Sequence, residues 1–214
     1  MLVELKQIIV SPGRQLLLKD ISWQAYKSIQ SELGVHRNTR TSYYRGVLEI
    51  MAPLPEHEVG KVIIGDLIKA LLEELDIDFW SLGSTTFDKE SMEAGVEPDD
   101  CFYIENEALV RGLTRINLET DPPPDLAIEI DITSRTKLNN YEALKVPELW
   151  RWNGTNLDIN ILVEGKYVKS DKSRTFPNIP ILEIIPQYLS MSIAVSRNAA
   201  MRAFRASVIK INKK

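Results

Sequence analysis

Three acidic side chains lie in one short segment with the pattern of a buried strand, Pro124-Asp125-Leu126-Ala127-Ile128-Glu129-Ile130-Asp131. Side chains alternate between the two faces of a strand, so the leucine and both isoleucines share one face and the three acids share the other. Clustered carboxylates repel each other unless a cation or protons neutralise them. The segment therefore predicts a cation-binding site on one face of a core strand.

A second acidic segment, residues 97–104, precedes this strand by about one strand and its connection. Asp99 follows a proline at the start of a predicted strand, where it shares a face with Cys101 and Tyr103. Mg²⁺ prefers carboxylate and water oxygens as ligands, and it can activate water and neutralise charge that builds up on a phosphate. Two acid-bearing strands this close in sequence predict a divalent metal site.

The alternative for each acid is a structural role, as a turn cap or as the partner of a lysine or arginine at the sheet edge. We favour that role for Asp100, Asp121 and Asp125. For Glu129, in the middle of an otherwise apolar strand, we favour a role in function.

The elements that must position these residues form an α/β or α+β pattern. Ser22 is a predicted N-cap for a helix over residues 23–33. Gly46 is predicted to lie in a hairpin turn between two strands within 41–50. Pro55 is predicted to begin a long helix that ends at about residue 75. Further strands are predicted at residues 14–18, 79–82, 84–87, 99–104, 148–152 and 157–163, a helix at 137–145, and an amphipathic C-terminal helix at about 192–209. Two apolar stripes are expected to be buried. The stripe of the long helix consists of Val59, Val62, Ile63, Leu67, Ala70 and Leu71, and that of the C-terminal helix consists of Ile193, Ala200, Met201, Phe204 and Val208. Both tryptophans of residues 148–152 are also expected to be buried.

Composition limits the class of protein. A chain of 214 residues with 44% hydrophobic and 26% charged residues suits one globular domain. It has no apolar run long enough for a transmembrane helix and no secretory signal at its start, and its single cysteine, Cys101, cannot form an internal disulfide. We therefore expect a cytoplasmic protein. No phosphate-binding glycine-rich loop or Gly-x-Ser-x-Gly turn is present, which disfavours nucleotide-dependent chemistry and serine hydrolysis.

Charge is distributed unevenly around a net value of −4. All 30 acidic residues lie at or before Glu183, and six basic residues follow it. A basic tail on an acidic body is a weak signal for nucleic-acid binding. We favour the other interpretation, a solvated face of the C-terminal helix.

Several segments together resemble one family. They are similar to the Uma-type putative restriction endonuclease family, a branch of the PD-(D/E)xK nuclease superfamily. The segments are Pro98-Asp99, the strand of residues 124–129, Ser134, Lys137 with Tyr141, and Val146-Pro147-Glu148-Leu149-Trp150. The similarity extends from about Tyr44 to Trp152. It implies a restriction-endonuclease-like fold, with a mixed central sheet flanked by helices, an N-terminal β/α extension and a C-terminal amphipathic helix. In one domain of residues 1–214, we expect the N-terminal helix and hairpin at 1–53, a metal-binding core at 54–170 and the basic C-terminal helix at 187–214.

The resemblance also implies roles for the acids. Asp99 and Glu129 would be ligands of Mg²⁺ or Mn²⁺, with the backbone carbonyl of Ile130 beside them. Related nucleases often supply another acid from a helix, and Glu58 in the first turn of the long helix is our candidate. A carboxylate at that position is equally explained by the helix dipole. His57 and His36, the two histidines, are too few and too distant to predict a zinc site.

The sequence departs from the superfamily pattern at Asp131, which stands where a lysine is usual, two residues after the glutamate. The family moves this lysine to the next helix, four residues before a tyrosine. Lys137 and Tyr141 fit that spacing and lie on one helix face, so Lys137 is our candidate catalytic cation and Arg135 the fallback. The alternative for Lys137 is a solvated surface lysine.

The leading hypothesis is therefore a Mg²⁺- or Mn²⁺-dependent endonuclease acting on DNA, with Asp99, Glu129, Lys137 and Glu58 as site residues. A homodimer is expected from the resemblance, with the C-terminal helix as its contact. The competing hypothesis is a catalytically inactive nuclease-fold module that binds nucleic acid or protein, which Asp131 and the acidic body favour. A hydrolase of small phosphoesters is a third option.

Overall fold

The computed structural model describes residues 5–34, 38–132 and 136–213, and within these ranges it contains two β-sheets and six α-helices. The helices are α1 (Trp23–Leu33), α2 (Pro55–Glu74), α3 (Glu107–Val110), α4 (Leu138–Leu144), α5 (Ile181–Ala194) and α6 (Arg197–Asn212). The strands are β1 (Gln15–Leu18), β2 (Arg40–Tyr44), β3 (Val47–Met51), β4 (Trp80–Ser81), β5 (Phe87–Lys89), β6 (Ala94–Val96), β7 (Asp100–Tyr103), β8 (Leu126–Ile130), β9 (Glu148–Trp152), β10 (Leu157–Val163) and β11 (Lys166–Ser170). The predicted mixed α/β fold class is confirmed.

The larger sheet has the strand order β11-β10-β9-β8-β7-β4. The sheet is mixed, because β8 runs parallel to β9, whereas all other neighbouring strands of the sheet pair antiparallel. Helices α2, α5 and α6 supply core residues on one face of this sheet, and α4 covers the other. This is the expected central sheet with helices on both sides.

The two faces of β8 are separated as its alternating pattern predicts. Leu126, Ile128 and Ile130 are buried in the core formed with α2, α5 and α6. Ala127 lies in a different core, with Cys101 of β7 and residues of α4. Glu129 shares the Ala127 face and is partly exposed. The core strand therefore presents one ionisable side chain toward the α4 side of the sheet.

The N-terminal strands β1, β2 and β3 form a second sheet together with β5 and β6, with the order β1-β3-β2-β6-β5 and antiparallel pairing throughout. Helix α1 begins at the predicted cap, where Ser22 accepts a hydrogen bond from the N–H of Ala25 at 3.2 Å. The turn between β2 and β3 consists of Arg45 and Gly46, both at positive φ, as a two-residue hairpin requires. The sequence did not predict that β6 would join this sheet.

The C-terminal segment consists of two helices instead of the single one predicted at residues 192–209. Helix α5 ends at Ala194, and Ser196 caps α6 by accepting a hydrogen bond from the N–H of Ala199 at 3.2 Å. Ala200, Phe204 and Val208 are buried as expected. Ile193 is 66% exposed, so its place in the buried stripe was wrong. The reason is that the helix break removes Ile193 from the face that continues along α6.

The basic tail lies against acidic residues of α2. Arg197 donates to Asp66 at 2.5 and 2.9 Å, and Arg205 donates to Glu73 and Glu74 at 2.6 and 2.7 Å. The tail was interpreted as a solvated helix face, and Arg197 and Arg205 are indeed partly exposed, at 51% and 38%, while they pair with acids of α2.

Helix α2 begins at Pro55 as predicted, and Ile63, Leu67, Ala70 and Leu71 are buried. Val59 and Val62 are 49% and 52% exposed, so the predicted stripe was wrong at its N-terminal end. The buried face passes instead through His57, Gly60 and Ile64.

Among the described residues, no helix has the length and the apolar character that would let it span a membrane.

Candidate functional site

Asp99 and Glu129 are brought together by the pairing of β7 with β8. Asp100 pairs with Ile128 in an antiparallel register, so Asp99 lies across from Glu129 at the next position. The N–H of Asp99 donates to the carbonyl of Ile128 at 3.0 Å. Its carboxylate Oδ2 accepts a hydrogen bond from the N–H of Ile130 at 2.7 Å. Asp99 is therefore bonded to the residues on both sides of Glu129.

Arg40, the first residue of β2, joins Asp99 to Glu58. Its guanidinium pairs with Asp99 Oδ1 and donates to Glu58 Oε1 at 3.0 Å. Asp99 is nearly inaccessible, whereas the side chain of Glu58 is 46% exposed. Lys61 lies 3.6 Å from Glu58 and donates to Ser84 at 3.0 Å. The structure thus places the helix acid beside the strand acid, with a guanidinium between them.

Glu129 accepts a hydrogen bond from the hydroxyl of Tyr141 on α4. Desolvation of its carboxyl raises the pKa of Glu129 to about 8, against the smaller lowering effect of the Tyr141 bond. Burial is also the main cause that raises the pKa of Tyr141 above its usual value. At neutral pH and without an added cation, burial thus favours the protonated form of Glu129.

Lys137 lies immediately before α4, four residues from Tyr141. Its ammonium group is 3.1 Å from Glu49 of β3, and its side chain is 42% exposed. Lys137, Tyr141 and Glu129 line the same cleft. Lys137 is the N-cap residue of α4 and has an extended backbone, so the prediction that it shares a helix face with Tyr141 was wrong. Its direct partner is Glu49. Arg135 and Ser134 lie outside the described residues.

Asp131 is neutralised by Arg151 of β9, whose Nε and Nη2 lie at 2.7 and 2.5 Å from its Oδ2. Its other oxygen accepts hydrogen bonds from the N–H and hydroxyl of Thr136 at 2.9 and 2.6 Å. Both Asp131 and Arg151 have side chains only 7% exposed. The residue that replaces the usual lysine therefore belongs to a buried structural pair.

Asp125 and Asp121 accept hydrogen bonds from backbone N–H groups of neighbouring loops, whereas Asp100, among the described residues, is neither a turn cap nor the partner of a lysine or arginine. Asp125 accepts hydrogen bonds from the N–H groups of Ile104 and Asn106 at 2.7 and 3.1 Å, and Asp121 accepts one from the N–H of Asn117 at 2.8 Å. Asp100 accepts hydrogen bonds from the hydroxyl of Ser81 at 3.3 Å and the N–H of Cys101 at 2.9 Å. Burial raises the pKa of the Asp100 carboxyl.

The cleft between the two sheets has a volume of about 50 Å³, enough for a few water molecules. It borders a larger groove of about 870 Å³, and Arg40 and Glu97 line both. Glu97 accepts hydrogen bonds from the N–H and hydroxyl of Thr41 and from the hydroxyl of Thr86, at 2.9 to 3.1 Å. A small cleft thus lies beside a much larger groove, and Arg40 and Glu97 belong to both.

The donor set suits a hard divalent cation, because Asp99, Glu129 and Glu58 supply carboxylate oxygens. The Arg40 guanidinium already pairs with two of these acids, Asp99 and Glu58, and its charge lowers the pKa of the third, Glu129. The guanidinium indicates that positive charge is required here. Within the described residues, no three acidic, histidine or cysteine side chains converge closely enough to hold a metal ion as they stand. The acids therefore have the chemistry of metal ligands, and the cation that the structure places between Asp99 and Glu58 is the Arg40 guanidinium.

Sequence reasoning missed Arg40 and Glu49 and assigned no contact to Tyr141. Arg40 begins a strand about 59 residues before Asp99, and nothing in its neighbours marks it as a partner of acids. The spacing of Tyr141 four residues after Lys137 did mark Tyr141 as part of the candidate site. His57 is buried, and its Nδ1 accepts a hydrogen bond from the N–H of Leu54 at 3.3 Å, so it helps to close the start of α2. His36 lies outside the described residues.

Comparison with known proteins gives one family and one structural neighbour to report. A crystal structure described as a putative nuclease belonging to DUF820, from Anabaena variabilis ATCC 29413, is 14% identical, with a TM-score of 0.45 over 69% of this chain and 90% of that chain. No curated protein matches the chain. The family model Uma2, described as "Putative restriction endonuclease", matches residues 23–195. The resemblance noted in the sequence is therefore confirmed, and the chain belongs to the Uma2 family.

Proposed function

We propose that this protein is a Mg²⁺- or Mn²⁺-dependent nuclease that hydrolyses phosphodiester bonds in DNA. The observation that carries the proposal is the pairing of β7 with β8, which sets Asp99 across from Glu129, a residue that lines the small cleft. Family membership supplies the reaction class, and the groove next to the cleft offers room for a nucleic-acid strand.

In this proposal Asp99 and Glu129 hold the metal, with Glu58 as a third acid from the rim. The metal supplies Lewis-acid stabilisation of the phosphate and an activated water. Lys137, on the cleft wall opposite β8, places a positive charge where the attacked phosphate would carry extra negative charge. Tyr141 orients the Glu129 carboxyl through its hydroxyl, which fixes the direction of one carboxylate oxygen.

The test is cleavage of supercoiled plasmid DNA with Mg²⁺ or Mn²⁺, comparing the parent protein with Glu129→Gln and Asp99→Asn. Both substitutions keep the size of the side chain and remove its charge. We expect nicking by the parent and none by either variant. A parent that cuts no DNA, or a Glu129→Gln variant that cuts equally well, would contradict the proposal. Turnover of a chromogenic phosphodiester that DNA does not inhibit would indicate a small-molecule substrate instead.

A second candidate function is a nuclease-fold module that binds nucleic acid or protein without cutting. The buried Asp131–Arg151 pair favours it, because an acid occupies the position of the usual lysine. The raised pKa of Glu129 favours it as well, since a protonated carboxyl is a poor metal ligand. Calorimetric titration with Mn²⁺ separates the two functions. Binding that is lost in Asp99→Asn supports the nuclease, and its absence in the parent supports the module.

A homodimer belongs to the same proposal, because two copies would each cut one DNA strand. Helix α6 is already docked on α2, so the contact would come from residues that remain exposed near the end of α5, such as Ile193 and Val195. Light scattering tests this point. A monomeric mass at the concentration used for cleavage would remove the dimer from the proposal without affecting the chemistry.

A further inference from the structure

Arg40 is the cation around which the acids of the site are arranged. Its guanidinium pairs with Asp99 and donates to Glu58 at 3.0 Å. The arginine side chain is only 13% exposed. Because the Asp99 pair is shielded from solvent, salt screens it much less than a surface pair. Salt alone should therefore not separate Arg40 from Asp99.

Both carboxylate oxygens of Asp99 are already engaged by groups of this chain. Oδ1 pairs with Arg40, and Oδ2 accepts the hydrogen bond from the N–H of Ile130 at 2.7 Å. An ion that coordinated Asp99 would come next to the guanidinium. At about 4 Å, a divalent ion and a guanidinium repel by about 2 kcal/mol in bulk water, and by more where solvent is excluded.

We infer that Arg40 is a resident counter-cation, which holds Asp99 and Glu58 in place in the metal-free protein and which a divalent metal must displace from Asp99 in order to bind. The inference rests on the proposed metal-dependent nuclease and adds a competition to it. Arg40 is a positioning residue in this scheme, since it acts through the two acids. Metal affinity is then set by two opposing factors, the attraction of the acids and the cost of moving the guanidinium.

The test is calorimetric titration of metal-free protein with Mn²⁺. Arg40→Gln removes the competing charge, and we expect it to bind Mn²⁺ at least about tenfold more tightly than the parent. Arg40→Lys keeps a charge but lacks the planar fork that reaches two carboxylates at once, so its affinity should lie between the two. Asp99→Asn should lose binding. Arg197→Gln is the matched control, because it removes a guanidinium from Asp66 on the same helix as Glu58, and its affinity should equal that of the parent.

Thermal melting provides a second readout that does not depend on activity. In EDTA, Arg40→Gln leaves the buried Asp99 carboxylate without its counter-charge, and we expect the melting temperature to fall by about 5–10 °C. Mn²⁺ should raise the melting temperature of Arg40→Gln more than that of the parent. If Arg40→Gln does not fold without metal, Arg40→Lys carries both measurements.

The outcomes separate this inference from the function on which it rests. Equal or weaker Mn²⁺ binding by Arg40→Gln and Arg40→Lys, with parent binding intact, overturns the competition and leaves the metal-dependent nuclease standing. Tighter binding by Arg40→Gln while no variant cuts DNA supports the competition and contradicts the nuclease. Absence of Mn²⁺ binding in every variant overturns both.

Discussion

Asp99 forms hydrogen bonds to the residues on both sides of Glu129. Its N–H donates to the carbonyl of Ile128, and its carboxylate accepts from the N–H of Ile130. The approach of the two acids is therefore fixed by backbone pairing, and it does not depend on long flexible side chains. A shift of one residue in this register would turn Glu129 to the opposite face of the sheet.

The metal-free protein should lose stability as the pH rises from about 5 to about 8. Burial raises the pKa of the Glu129 carboxyl to about 8, from an ordinary value of 4.5. Between these values the folded protein keeps a proton that the unfolded chain has released, so the free energy of unfolding falls with rising pH and levels off above about 8. We expect this contribution to be on the order of a few kcal/mol.

Urea denaturation in EDTA at several pH values between 5 and 9 measures this slope. Glu129→Gln removes the titrating group and should flatten it, whereas Glu164→Gln, at an exposed position, should leave it unchanged. Equal slopes in the parent and in Glu129→Gln would mean that the Glu129 carboxyl is not desolvated.

Lys137→Ala should lower the rate of DNA cleavage by a factor of about 10² to 10³ while DNA binding changes little, because one positive charge near the attacked phosphate is lost. The Lys137–Glu49 pair is partly exposed, so its loss should cost at most about 1 kcal/mol of stability. The measurement is single-turnover cleavage beside urea denaturation.

The control for this prediction is Lys166→Ala. Lys166 of β11 pairs with Glu142 of α4, the helix that Lys137 precedes, and the Lys166 side chain is 77% exposed. Cleavage by Lys166→Ala should match the parent. An equal loss in the two variants would assign the effect to α4 as a whole, and full activity of Lys137→Ala would return Lys137 to the role of a surface lysine.

Asp131 explains why a lysine is not accommodated two residues after Glu129. Asp131→Ala leaves Arg151 buried without a counter-charge, and we expect it to destabilise the fold by about 3–5 kcal/mol. Asp131→Lys would place two cations together and should fail to fold. The double variant Asp131→Ala with Arg151→Met removes both charges, and its loss of stability should be smaller than that of Asp131→Ala alone. Urea denaturation measures all three, and a double variant that is no more stable than Asp131→Ala would argue against a direct coupling.

Local pattern was sufficient to predict elements whose partners are close in sequence. The bounds of β9 and β10, residues 148–152 and 157–163, and the start of α2 at Pro55 agree with the structure. The pairing of Ala94 with Tyr44 could not be predicted, because fifty residues separate the two strands and neither has a distinctive pattern. Gly60 on the buried face of α2 was missed for a related reason: a search for apolar stripes does not count glycine.

The acids of the site were predictable, and their partners were not. A glutamate in an apolar strand is conspicuous in any sequence, so Glu129 could be selected by its residue type and neighbours. The contact between Arg40 and Asp99 depends on how the two sheets pack. Sequence reasoning therefore found the negative charges of the site without the guanidinium that neutralises them.

Helix α2 approaches the structural acid Asp100 closely at Gly65, and a pair of glycine substitutions tests this contact. A Cβ at Gly65 would lie 2.5 Å from Oδ2 of Asp100, whose other oxygen is held by Ser81 and Cys101. Gly65→Ala must therefore displace α2 or the buried carboxylate, which we expect to cost about 1–3 kcal/mol. The better helix propensity of alanine offsets at most about 1 kcal/mol of this cost.

Gly60→Ala is the matched control in the same helix. Its Cβ would meet Ile130 at 3.5 Å and Trp152 at 3.7 Å, which are ordinary contact distances. The substitution should be neutral or stabilise the protein by up to about 1 kcal/mol, because alanine favours the helix. Urea denaturation of both variants compares them directly. Since α2 carries Glu58, Gly65→Ala should also weaken Mn²⁺ binding, whereas Gly60→Ala should not; equal stability of the two variants would show that α2 can shift away from Asp100 at no cost.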